Sequence, residues 1–236
     1  MPTHDWTRVS AGAFHDFHNA WITFLRSSLN GGLLPEGYYA LGEQAAGSVG
    51  PDVLTLPDEP DDADETSVRL PPETDGGTAV ATAPPPVRTV QRTEEEVLFS
   101  LRRQRHVAIR HASGDRLIAA VEIVSRANRH TRHTVDRFVD KVVALVTAGV
   151  HVCIIDVYPT SPNTPHGMHG RIWSQIDGDE DYRHPADEPL TLASYAAASS
   201  VTAYVEPTTV GGVLIDLPLF LTADRYVPLP LETTYA

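Results

Sequence analysis

The chain has 236 residues, 42% of them apolar and 21% charged, with 31 acidic against 18 basic side chains and a formal net charge of −13. That length allows one sizeable core, and no run of about 18 apolar residues exists to cross a bilayer. A single cysteine excludes an intrachain disulfide framework, and the acid excess argues against binding that depends on many Lys and Arg contacts to phosphates.

The opening MPTHDWTRVSAGAF has no apolar segment behind a basic end, so neither signal peptide nor anchor is expected, and the default location is the cytoplasm. Phe14, Phe17, Trp21, Leu25 and Leu29 recur at steps of three and four, which predicts one helix with a buried stripe, ended by Asn30-Gly31-Gly32. GYYALGEQAA and PDVLTL read as short strands, the second entered through Pro51. Residues 57–86 are rich in Pro, Gly and acid; between Asp58 and Asp75 eight acidic residues face one base, Arg69, so −7 of the net charge lies there. So little apolar surface cannot offset ordering entropy, and a mobile loop within one domain spanning 1–236 is expected.

Beyond the loop, PVRTVQRT and HVAIRH read as strands, with TEEEVLFSLRRQ ambiguous between helix and strand. RLIAAVEIVS, after the turn at Gly114-Asp115, is apolar enough for a central strand. Val135, Phe138, Val139, Val142, Val143 and Val146 form a helical face that stops at Gly149, and HVCIIDVYP is a further buried strand. Strand, helix, strand implies a parallel crossover, so the expected fold is α/β or α+β, a central mixed sheet flanked by helices. The remainder reads as a small-residue helix or coil LASYAAASS, the strands VTAYVEP and GGVLIDLPLF, and the partly extended RYVPLPLETTYA. Cys153 reads as a small buried hydrophobe.

Glu122 interrupts LIAAVEIV, where an uncompensated carboxylate costs several kcal/mol. A divalent ion shared with Asp52 would compensate it, and so would a salt bridge to Arg126 or Lys141. Asp156, at the exit of its strand, suits a ligand site, a turn cap or an arginine partner. Ser125 and Asn128 can orient a phosphate or water, or cap the helix that begins near residue 131. His15 with His18, and His166 with His169, have a spacing that zinc can use, but no third ligand is fixed in either case. No Gly-x-Ser-x-Gly elbow or phosphate-loop pattern occurs.

HDWTRV, FHDFHNAWI, LLPEGYYALGEQ, PDVLTL, VEIVSRANR, FVDK, HVCIIDVYP and VLIDLPLFLTADRYVPLPLETTYA together resemble the bacterial proteins grouped as domain of unknown function 4058. Their central part is similar to the Uma-type proteins and to the PD-(D/E)XK nuclease superfamily. The resemblance implies a four-stranded mixed sheet between helices, a restriction-endonuclease-like core here extended by C-terminal strands, with Mg²⁺ or Mn²⁺ on Asp52 and Glu122. The place of the pattern's lysine falls on Val124, which moves that role to Lys141 on the following helix. Glu43 would be a third carboxylate, Ser125 and Asn128 supporting polar groups, and Arg129 a base where the family often has lysine. The implied activity is metal-dependent phosphodiester hydrolysis on nucleic acid; a non-catalytic scaffold for a protein partner is the alternative. Asp216 lies in the closing segment of the resemblance and takes no chemistry from it.

Overall fold

In the computed structural model of the chain, residues 1–42, 53–57, 88–92, 116–178 and 181–235 are described, with the backbone alone for 53–57 and 92. Asp52, Glu43, the acidic stretch after Pro57, and the segments TEEEVLFSLRRQ and HVAIRH with the Gly114-Asp115 turn lie outside the described residues.

Helix α1 runs from Ala11 to Ser28, capped by Ser10, whose hydroxyl accepts from Ala13 N, and it leaves through one wide turn over Leu29–Leu33. Strands β1 (Tyr38–Gly42), β2 (Val53–Pro57) and β3 (Thr89–Arg92) precede β4 (Ala119–Ile123). A single helical turn, α2 (Arg126–Arg129), leads into α3 (Arg132–Thr147), then β5 (His151–Asp156) and α4 (Gly167–Asp177). Strands β6 (Leu190–Ala197) and β7 (Val201–Thr208), the hairpin β8 (Leu217–Thr222) and β9 (Arg225–Leu229), and α5 (Leu231–Tyr235) complete it.

The main sheet has the order β1-β2-β4-β5-β6-β7-β3, and β8-β9 forms a separate two-stranded sheet. It is mixed: β4 pairs antiparallel with β2 and parallel with β5, while β6 and β7 continue antiparallel. The parallel pair β4/β5 is the crossover expected from the sequence, with α2 and α3 between its strands.

Alternation along β4 divides the core into two layers. Ala119, Val121 and Ile123 face α1, where Phe14, Trp21 and Leu25 meet the hairpin residues Leu217, Leu219, Val227 and Leu229. Ala120 and Val124 face the other way, onto Val135, Phe138, Val139 and Val142 of α3 and Met168, Ile172 and Trp173 of α4. Each fully buried Leu, Ile or Val contributes about 1.5–3 kcal/mol relative to exposure. Helix α3 ends where Gly149 adopts a φ of +84°, a conformation that a side chain would strain.

The first residues of the chain are sealed by the last. Trp6 Nε1 and His4 N both donate to the Tyr235 hydroxyl, at 2.9 and 2.8 Å, and Trp21 Nε1 donates to Thr234 Oγ1 at 3.0 Å. Thr3 N and Gly211 N donate to the backbone oxygens of Gly212 and Thr3, each at 2.8 Å.

Three segments differ from the sequence expectation. LASYAAASS is neither helix nor coil through Ala197 but strand β6, buried along its whole length between β5 and β7. Its alanines favour a helix locally, but a position between two strands rewards small residues that bury on both faces. In GGVLIDLPLF the strand begins only at Leu217, after irregular backbone over 212–216. The residues after Asn163 form α4, which sequence reading passed over although Met168, Ile172, Trp173 and Ile176 carry helical spacing.

Cys153 is buried in β5, with Sγ 3.5 Å from Ser194 Oγ and 3.4 Å from Pro218 O, and burial pushes its thiol pKa up to about 12. A thiol so placed stays protonated and screened. The native protein is therefore expected to resist an aromatic disulfide reagent at pH 8 for hours and to react with one equivalent at once in urea. Rapid labelling without denaturant would contradict the packing of β5.

Candidate functional site

Glu122 occupies the fourth position of β4 and is 1% exposed. Its side chain lies on the sheet face covered by α3, and from that helix Lys141 Nζ donates to Glu122 Oε2 at 2.6 Å. Of the two bases that sequence reasoning offered Glu122, the structure brings Lys141. Arg126 Nη2 instead donates to Thr7 O at 3.3 Å. Lys141 reaches the sheet because its stem runs along a helix face with Phe138, whose ring centroid lies 5.2 Å from Nζ. Lys141 has 18% of its side chain exposed, against 1% for the carboxylate it holds.

The end of β4 gathers other groups. His18 of α1 donates from Nε2 to Ile123 O at 3.2 Å, so α1 and α3 approach the same strand end from opposite faces. His15, one turn away, is exposed and 3.2 Å from Asn19 Nδ2 through its own Nε2, so the two histidines go to different partners. Val53 pairs with Val121 in the β2/β4 register; Val53 is the chain neighbour of Asp52, and Val121 that of Glu122. Asp52 and Glu43 are outside the described residues.

Ser125 and Asn128 satisfy each other. Ser125 N and Oγ donate to Asn128 Oδ1 at 2.9 and 2.7 Å, and Asn128 N donates back to Ser125 Oγ at 3.4 Å, a reciprocal cap on α2. Helix α3 has its own cap, Thr131 with Thr134. Arg129 turns away from Glu122 and is buried against Asp156: Nη1 pairs with Asp156 Oδ2, and Nη2 donates to Pro159 O and Thr164 Oγ1 at 2.5 and 2.7 Å. Asp156 also accepts from Tyr158 N at 3.3 Å and from Met168 N at 3.2 Å, so it holds the first turn of α4 as well as the arginine. Both structural roles that its sequence position allowed are realised at once.

Sequence reasoning missed the polar chain behind α4. His169, fully buried, places Nδ1 2.7 Å from the Tyr195 hydroxyl and Nε2 2.8 Å from Gln91 Oε1, which ties α4 to β6 and to the edge strand β3. Since Gln91 Oε1 can only accept, Nε2 carries the proton and Tyr195 donates to Nδ1. The signal available was a histidine on the apolar stripe of an unrecognised helix.

A hard divalent cation takes oxygen ligands, and the carboxylate at the end of β4 offers that chemistry beside an ammonium. Among the described residues no group of three or more His, Cys, Asp or Glu converges on a metal position. Also among the described residues, no helix is long and apolar enough to cross a membrane. No family model, curated protein or solved structure matches the chain.

Proposed function

We propose that the chain is a metal-dependent phosphodiesterase of the nuclease-like kind, acting on nucleic acid in the cytoplasm, with Asp52 and Glu122 as the carboxylates that would hold Mg²⁺ or Mn²⁺. The observation that carries this reading is the 2.6 Å contact between Lys141 on α3 and Glu122 in a buried strand. It provides an ammonium beside Glu122 where the lysine of the PD-(D/E)XK pattern would fall on Val124, just past the end of β4. The mixed sheet between α1 and α3 supports the same reading, as does the β2/β4 register next to Asp52.

The metal, when bound, supplies Lewis acidity and lowers the pKa of a water. The chain's own groups do the rest. Glu122 is held in one orientation by Lys141, and the partly exposed ammonium favours the approach of an anionic phosphodiester and the negative charge that grows on its oxygens. Burial of the strand end strengthens both effects by lowering the local dielectric.

A second reading, a non-catalytic scaffold for a protein partner in which Glu122 pairs with a base, draws on the same Lys141–Glu122 contact, which already compensates the buried carboxylate, and on the groups around it. Arg129 is committed to Asp156, and Ser125 and Asn128 to each other, which leaves those three supporting groups with structural work.

Thermal melts with Mg²⁺ and Mn²⁺ on wild type, Glu122→Gln and Asp52→Asn, followed by cleavage assays on labelled DNA and RNA, separate the two. At ten times its Kd a bound metal adds about 1.4 kcal/mol, which for this chain length is about 3–6 °C in midpoint, and both variants are expected to lose the gain. No response in wild type, with Glu122→Gln merely less stable, selects the scaffold.

A further inference from the structure

A recess of about 240 Å³ opens between α4 and the chain over 181–185, lined by His166, Gly170, Arg171, Ser174, Tyr182 and Arg183. Gly170 and Ser174 lie one turn apart on one face of α4, and His166, at its N-cap, sits close beside the Gly170 position, so the three line a single wall. Gly170 keeps that wall open. A Cβ there would come within 2.7 Å of His166 Cβ and 3.4 Å of the Tyr182 ring. The Tyr182 ring is held in place by its hydroxyl, 3.1 Å from His184 Nδ1, and by an edge contact with the His169 ring at 4.6 Å between centroids.

Arg171 gives Nη2 to Asp136 Oδ1 at 2.5 Å, while its buried Nε has no hydrogen-bond partner among the described residues. Arg183 gives Nη1 to Tyr182 O at 3.0 Å and adds a second cation to the rim. Neither the His166 ring nor the Ser174 hydroxyl makes a hydrogen bond among the described residues. Asp136 takes one edge of the Arg171 guanidinium.

We infer that this recess binds a phosphomonoester, its phosphate among Arg171, Ser174 and His166 and its organic part along Tyr182. A planar carboxylate uses an arginine best as a two-toothed fork, and Asp136 already occupies part of that fork on Arg171. A tetrahedral phosphate, with three terminal oxygens, can instead accept from separate donors on several sides. The volume exceeds what a bare phosphate fills, and Tyr182 offers an aromatic surface to whatever the phosphate is attached to. This site shares no residue with the Glu122 site.

The test is calorimetric titration of the full chain with inorganic phosphate, phenyl phosphate and benzoate. It is run in EDTA at fixed ionic strength set with chloride, so that no divalent ion engages Glu122. Phenyl phosphate is expected to bind saturably, one per chain, at least tenfold tighter than inorganic phosphate and than benzoate. Arg171→Gln should weaken it at least tenfold and Ser174→Ala several-fold. Ser174 is partly exposed on α4, so its variant reads binding even if the arginine variant folds poorly. Absence of saturable binding by wild type, equal affinity for benzoate, or unchanged affinity in Ser174→Ala overturns the inference.

Discussion

Acidification from pH 7 to pH 4 is expected to remove several kcal/mol of folding stability through two buried imidazoles. His151, 5% exposed, accepts from Ala197 N at Nδ1, at 2.9 Å, and burial lowers its pKa from 6.5 to about 4. His169 is lowered to about 3, by burial first and by the charge of His184 second. For a base with a depressed folded-state pKa, the unfolded chain takes up its proton near pH 6.5 while the folded chain stays neutral. The stability from each neutral imidazole is thus complete above about pH 6.5 and falls as pH drops through 6.5 toward 4 for His151 and toward 3 for His169. Each tenfold loss of proton affinity on folding corresponds to about 1.4 kcal/mol, so His151 alone accounts for on the order of 3 kcal/mol and His169 for somewhat more. Near pH 5 the slope approaches two protons, about 2.7 kcal/mol for each step of one in pH, against a total of about 5–15 kcal/mol for an ordinary domain. Urea unfolding at pH 7, 6 and 5 measures it, and His151→Gln should bring the slope close to one proton. A flat profile between pH 6.5 and 5 would show that these imidazoles are not held neutral.

Arg129→Met is expected to cost about 3–5 kcal/mol, since it strips the guanidinium from a carboxylate that has no access to water. Asp156 is 0% exposed, and its remaining donors are the amides of Tyr158 and Met168. Those two hydrogen bonds do not balance a full buried charge, and Pro159 O and Thr164 Oγ1 lose the arginine N–H at the same time, Thr164 keeping Ser161 Oγ at 2.9 Å. Adding Asp156→Asn to the same variant removes the stranded charge and should recover a good part of the loss. With Asp156→Asn alone and wild type as the other two corners, the four denaturation curves form a double-mutant cycle with a large coupling. A loss under about 1 kcal/mol for Arg129→Met would mean that Asp156 is solvated by water reaching the end of β5. The metal response expected of Glu122 should survive in both variants, because Lys141 and not Arg129 meets that carboxylate.

The two pairs mark the boundary of what the sequence could tell. Glu122 stood out because a carboxylate in LIAAVEIV needs compensation wherever it lies, and Lys141 because its stem follows the apolar face of a strongly periodic helix. Which base compensates it was open, since Arg126 is only four residues away and Lys141 nineteen, and the shorter separation lost. Spacing along a chain does not say which face of a layer a side chain enters; the alternation of β4 does, once its neighbours are known. Arg129 entered as a supporting group through the resemblance alone, and it belongs to the next strand's aspartate. The buried strands and the two long helices were legible from their runs of large apolar residues. Strand β6 was not, because Ala and Ser carry little periodic signal, and its identity comes from pairing with residues both before and after it. His18 reaching Ile123 O across 105 residues of sequence leaves no local trace.

The seal between the ends of the chain bears on how the protein is made. Trp21 waits 213 residues for Thr234, and Trp6 waits 229 for Tyr235. At about 5–20 residues per second on a ribosome, the first helix is out for about 10–40 s before the residues that close its layer exist. During that time Phe14, Trp21 and Leu25 have no hairpin from 217–229 to cover them. This layer can therefore close only after residues 217–235 have been made, and its contacts, 213 and 229 residues apart in sequence, are of the non-local kind that forms slowly and leaves apolar surface uncovered in the meantime.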